Sequence, residues 1–134
     1  MDALSYNPIH CMDCNLEVRP ELLQLETKLV EWIAHWRELH AAIYWLWPES
    51  KEYEDWAGQE LRSNHSPVNE RGRKLQQALN NVRRCYYWFF QDASVDDWTP
   101  IQNCPACGKG LTARKSRVGQ VMVCEACSIA VQGS

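Results

Sequence analysis

Two Cys-x-x-Cys pairs, Cys104/Cys107 and Cys124/Cys127, stand sixteen residues apart in "NCPACGKGLTARKSRVGQVMVCEACSIAV", residues 103–131. No other feature restricts the chain more. Four thiolates are soft, anionic ligands that close a tetrahedral shell around Zn²⁺ at about 2.3 Å. Each Cys-x-x-Cys turn presents two sulfurs to one ion. Pro105 stiffens the entry, and Gly108 and Gly110 permit positive φ just past the second ligand. The β-prone runs "VGQVMV" and "SIAV" flank "CEAC". The pattern therefore predicts two knuckles joined by strands, a zinc ribbon over residues 100–134. Iron in a rubredoxin-like site would use the same ligands, so Zn against Fe stays open. The bland alternative is a set of buried or redox thiols. With all four positions filled by cysteine, no site is left for water or substrate, and the metal is structural. A module this small cannot fold on its own apolar burial, so chelation is expected to unfold the tail first.

A third pair, Cys11 and Cys14 in "IHCMDCN", has no fourth in sequence. A redox role asks for a helix starting at the second cysteine, but "NLEVRP" follows it. A second metal site would need further ligands. His10 is the nearest candidate, with Cys85, His35, His40 and His65 as the others. Against them, His10 adjoins Cys11, Cys85 sits among aromatics as a core thiol would, and each lone histidine reads more simply as a hydrogen-bonded or surface residue. A metal shared between two chains is the other option, alongside redox-active and inert thiols.

Between the cysteine clusters the pattern is helical. Leu22, Leu25, Leu29, Trp32, Trp36, Leu39, Ile43 and Leu46 fall at three- and four-residue steps, which predicts a helix of about seven turns from Pro20 to Pro48. A shorter helix is expected from Ser50 as N-cap, with Tyr53, Trp56, Ala57 and Leu61 on its apolar side. Ser66 and Pro67 read as N-cap and first position of a third helix, whose seam is Val68, Gly72, Leu75, Leu79 and Val82. Gly72 on that seam reads as a point of close approach. "CYYWFF" (85–90) is a candidate buried strand, and "QDASVDDWTP" an acidic linker. The expected class is α+β, with three segments: residues 1–19 with the unpaired cysteines, an antiparallel three-helix domain with an aromatic strand over 20–99, and the ribbon over 100–134.

Charge divides along the same line. Residues 1–99 hold ten Lys/Arg against sixteen Asp/Glu, and residues 100–134 hold Lys109, Arg114, Lys115 and Arg117 against Glu125. Only the tail could attract a phosphate backbone, and those four cations are the candidate nucleic-acid contacts. No apolar run reaches the roughly 20 residues of a membrane span, and the N-terminus does not read as a secretory signal. A cytoplasmic setting follows, and it favours metal over disulfide roles for the cysteines.

Taken together, several motifs carry a likeness. They are the early Cys11/Cys14 pair, the ExxA of Glu54 and Ala57, "SPVNERGR" (Ser66, Gly72, Arg73), Tyr86–Tyr87, and "CPACG…CEAC". From about residue 10 onward the chain resembles a bacterial family described as zinc-ribbon-containing, with suspected nucleic-acid binding and unknown function. Arg84 and Cys85 stand in place of the turn residues usual before the tyrosines. The resemblance implies architecture more than activity.

No catalytic set is recognisable, so an enzyme is not expected. The favoured reading is an adaptor that docks a protein partner through an acidic, Trp-rich helical surface, with Trp45, Trp47 and Trp56 as anchors. The alternatives are nucleic-acid binding through the ribbon hairpin and thiol redox at Cys11/Cys14. The sequence sets neither the partner nor the oligomeric state.

Overall fold

A computed structural model describes residues 1 and 4–133 of the chain. It is a mixed α+β structure. A 3-10 turn at Pro20–Leu23 leads to α1 (Thr27–Glu49), α2 (Glu54–Arg62) and α3 (Pro67–Asn80). The strands follow as β1 (Tyr87–Trp88), β2 (Thr112–Ser116), β3 (Gly119–Cys124) and β4 (Ile129–Gln132). The sheet order is β1-β4-β3-β2, with β1 parallel to β4 and the other pairs antiparallel. Among the described residues, no helix is long and apolar enough to cross a membrane.

The first helix begins later than its periodicity predicts. Pro20 does start a turn, but it is a 3-10 turn that ends at Gln24 in the left-handed region (φ 52°). The apolar stripe is accordingly rotated. Ile33, Trp36, His40 and Ile43 are buried, whereas Leu22 and Trp32 are exposed. Pro48 lies in the final turn, where the helix is about to end. Ser50 is not the N-cap of α2; it closes α1, its hydroxyl donating to the Leu46 carbonyl, and Tyr53 precedes α2. On α2, Ala57, Gly58 and Leu61 face inward, while Tyr53 and Trp56 stay exposed. The third helix starts as expected, with the Ser66 hydroxyl accepting from the Asn69 N–H at 3.3 Å and Pro67 in the first turn. Val82 lies beyond its end and is exposed.

Asn69, almost fully buried, holds the helices to the sheet. Its side-chain amide donates to the carbonyls of Glu60, Leu61 and Ser63 at 3.2, 2.9 and 2.8 Å, satisfying the last turn of α2. Its carbonyl accepts from the Tyr87 hydroxyl of β1 at 2.8 Å. Asn69→Ala strands these groups away from water. It is expected to cost about 2–4 kcal/mol, since each buried unpaired polar group costs about 1–3. A denaturant midpoint within error of wild type would show that water replaces the amide.

The aromatic stretch at 85–90 supplies only a two-residue strand, but its placement matters. Tyr87 and Trp88 pair with Ile129 and Ala130 of β4, so one sheet joins the segment before residue 99 to the cysteine-rich tail. Ile129, Ala130 and Val131 are fully buried, and Ile129 and Val131 share one core with Trp36, Leu61, Leu75 and Tyr87.

Candidate metal centre

The two cysteine turns of the tail meet because β3 runs directly into the second. β2 and β3 pair from Thr112–Val123 to Ser116–Gly119, which returns the chain from the first turn to the second. In the first, the Cys104 N–H donates to the Lys109 carbonyl (2.7 Å) and the Gly108 N–H to the Cys104 carbonyl (2.9 Å). The Ala106 N–H points at Cys104 Sγ (3.4 Å). Gly108 takes φ 74°, a value glycine adopts at little cost. In the second, Ser128 takes φ 53° at the corresponding position after Cys124, and Cys124 pairs with Ile129.

All four sulfurs lie within 4.8 Å of one another, with Cys107 Sγ 3.8 Å from Cys124 Sγ. A tetrahedron with ~2.3 Å metal–sulfur bonds has edges of about 3.8 Å, so the donor set fits a single soft divalent ion. The electrostatics agree. Cys107, outermost, is drawn down to about 7, chiefly by the Lys109 backbone N–H. Burial, then the neighbouring thiols, pushes Cys127 up to about 12, and burial raises Cys104 as well. Four thiolates this close repel one another unless a cation stands between them. The cluster Cys104, Cys107, Cys124 and Cys127 can thus hold one metal ion.

Residues that no local pattern singles out tie this centre to the rest of the molecule. Glu125, between the cysteines of the second turn, accepts from the Tyr86 hydroxyl at 2.9 and 2.7 Å and from Arg84 at 2.7 Å. The Tyr86 hydroxyl, then Arg84, holds its carboxyl below the usual range. Arg84 also donates to the Ser128 hydroxyl (2.7 Å) and covers the Tyr86 ring at 4.7 Å. The exposed Arg84–Glu125 ion pair contributes little alone, but the set fixes the turn against β1.

The basic residues expected at the hairpin divide. Arg114 donates to the Tyr86 hydroxyl at 3.1 Å, and Arg117 pairs with Asp13 at 2.6 Å. Lys109 and Lys115 are exposed and record no ion pair among the described residues. The residues considered for a second metal do not form one cluster. Among the described residues, the tail cysteines are the sole group of three or more candidate ligands. Both ring nitrogens of His10 lie 3.0 Å from backbone carbonyl oxygens, of Asn15 and of Asn7. The Cys85 thiol points at the Tyr86 carbonyl (3.7 Å), and burial raises its pKa. Cys11 is lowered by the N–H groups of Cys14 and Asp13. Of the three tryptophans expected as anchors, Trp45 and Trp56 are exposed, whereas Trp47 packs edge-on against Phe90 at 4.9 Å between ring centres.

No protein-family model matches the chain, and neither does a curated protein or a solved structure.

Proposed function

We propose that the chain is a non-enzymatic adaptor. One structural Zn²⁺ on Cys104, Cys107, Cys124 and Cys127 closes a zinc ribbon, and a helical corner docks a protein partner. The ribbon reading accords with the bacterial zinc-ribbon family that the sequence resembles. The docking reading is carried by one observation, the aromatic residues around the α1–α2 connection. Trp45, Tyr53 and Trp56 are 68%, 58% and 48% exposed. Over residues 45–60 they stand among Glu49, Glu52, Glu54, Asp55 and Glu60, with Lys51 the sole cation of that stretch. Large aromatics left in water at an acidic corner suit a partner offering apolar pockets rimmed by Lys or Arg. Trp47 packs inward instead, against Phe90 and beside Gly58 of α2.

Nucleic-acid binding is the weaker reading, because two of the four hairpin cations are already engaged within the fold. The test sets the two against each other. Affinity capture from a cell extract is compared for the wild type, Trp45→Ala/Trp56→Ala and Lys109→Glu/Lys115→Glu. Binding of single- and double-stranded oligonucleotides is followed by anisotropy across a salt series. The expected result is a protein retained by the wild type and the lysine variant and reduced at least tenfold by the tryptophan variant. Capture indifferent to the tryptophans, with salt-sensitive oligonucleotide binding lost in the lysine variant, would replace the adaptor by a nucleic-acid binder. Arg114 and Arg117 are left intact, since their loss would disturb contacts to Tyr86 and Asp13.

A further inference from the structure

The Cys11–Cys14 turn repeats the backbone of the first metal-centre turn bond for bond. The Cys11 N–H donates to the Leu16 carbonyl (2.9 Å) as the Cys104 N–H does to Lys109 (2.7 Å). The Asn15 N–H returns to the Cys11 carbonyl (2.9 Å) as the Gly108 N–H does to Cys104 (2.9 Å). Asn15 takes φ 58° where Gly108 takes 74°, a conformation asparagine tolerates better than most residues. An antiparallel bridge closes each turn, His10–Glu17 in one and Asn103–Gly110 in the other. The His10 ring, held between two carbonyls, braces the turn instead of ligating. Asp13 is fixed by Arg117, whose N–H also donates to the Asp13 carbonyl at 3.0 Å. An unpaired Cys-x-x-Cys with no structural duty has no reason to adopt and lock this geometry.

We infer that Cys11 and Cys14 are half of a second Zn²⁺ site, completed by the same pair of a second copy of the chain. Three observations select that occupant. Two thiolates leave a tetrahedral zinc two ligands short. Among the described residues the chain supplies neither, since no third His, Cys, Asp or Glu groups with Cys11 and Cys14, and His10 and Cys85 are turned to carbonyls. Within the tail, moreover, such a turn is completed by another such turn. Of the three turns of this kind, two complete each other and the third is left over. A second copy presents the matching turn across a two-fold axis through the metal, which closes the assembly at two chains. The turn is also rimmed by exposed apolar side chains. Leu16 stands two residues past Cys14, and Val118 shares with Cys11, Met12 and Asn15 a cleft of about 300 Å³. Two-fold pairing about Cys11 and Cys14 would cover both.

The experiment is elemental analysis combined with native mass measurement, on the full chain in a phosphine reductant that excludes disulfide dimers. The wild type is expected as a dimer with about 1.5 zinc ions per chain, one for each tail and one shared. Cys11→Ser/Cys14→Ser is expected as a monomer with about one. Because that variant could fold poorly, the wild type is also titrated with a chelator. The shared ion should leave first, taking the dimer with it while the far-UV spectrum holds. A monomer with one zinc, a monomer with two, or a dimer indifferent to the double substitution each overturns the inference. Failure of the tail site itself would read differently, as a wild type that carries less than one zinc per chain.

Discussion

Cys124→Ser is expected to abolish cooperative folding of the whole chain, helices included. Cys124 is buried, contributes to the principal core, and ends the strand that pairs with β4. Serine there supplies a poor zinc ligand and leaves three thiols in mutual contact. In zinc-finger peptides a structural zinc contributes an apparent 10–16 kcal/mol, as much as a domain's total stability of about 5–15. Sequence spacing alone suggests that the loss would be confined to the tail. The pairing of Tyr87 with Ile129, and the burial of Ile129 and Val131 against Trp36, Leu61 and Leu75, argue otherwise. The check is thermal unfolding followed by the helical far-UV signal and by near-UV tryptophan bands, with and without chelator. Both should collapse together in the variant and on metal removal from the wild type. A helical transition that keeps its midpoint would show that the helices fold independently. Cys107→Ser should be milder by comparison. Its thiol is exposed, so water can take the vacated ligand position without desolvating a core group.

How far the sequence reveals this molecule depends on the range over which each signal acts. The four tail cysteines are legible because ligand chemistry needs no tertiary context. So is the start of α3, where Ser66 and Pro67 act within one turn. The start of α1 is not. Leu22 and Leu25 continue the apolar period of the helix, but Gln24 in the left-handed region breaks the chain between the two, and α1 begins only at Thr27. Periodicity cannot register a break that preserves the spacing. Ser50 misleads for a related reason, as its hydroxyl serves the preceding helix end equally well. The parallel pairing of β1 with β4, and the set of Arg84, Tyr86, Glu125 and Ser128, are long-range and carry no local mark. Charge counting is blind to partners in the same way. Arg114 and Arg117 look like a free basic hairpin until the fold places Tyr86 and Asp13 against them.

Gly72→Ala offers the cleanest test of how the helices meet the sheet, because two opposing effects differ in size. Alanine is the better helix former by about 1 kcal/mol, and in an exposed helix the substitution would stabilise. Here a Cβ at position 72 would sit 2.6 Å from Trp36 Nε1 and 2.6 Å from Tyr87 Cε2. Neither ring can swing away. Trp36 and Tyr87 are essentially fully buried, Trp36 donates to the Val68 carbonyl at 3.0 Å, and Tyr87 donates to Asn69. Moving either ring breaks a buried hydrogen bond or forces α3 away from α1. Overpacking of this kind costs about 1–3 kcal/mol, occasionally more, and two buried rings at once place this site at the upper end. The net expectation is a loss of about 2 kcal/mol, the clash exceeding the gain in propensity. For a chain of this size that corresponds to a fall of about 7 °C in Tm. Trp36→Phe in the Gly72→Ala background separates the terms. The smaller ring removes one of the two close contacts, so the double variant should lose less than the sum of the single losses, a coupling visible in a double-mutant cycle. Additive losses would mean that α3 shifts bodily to accommodate the methyl group, and that the approach of α1 to α3 is softer than the contact between Gly72 and the two rings implies.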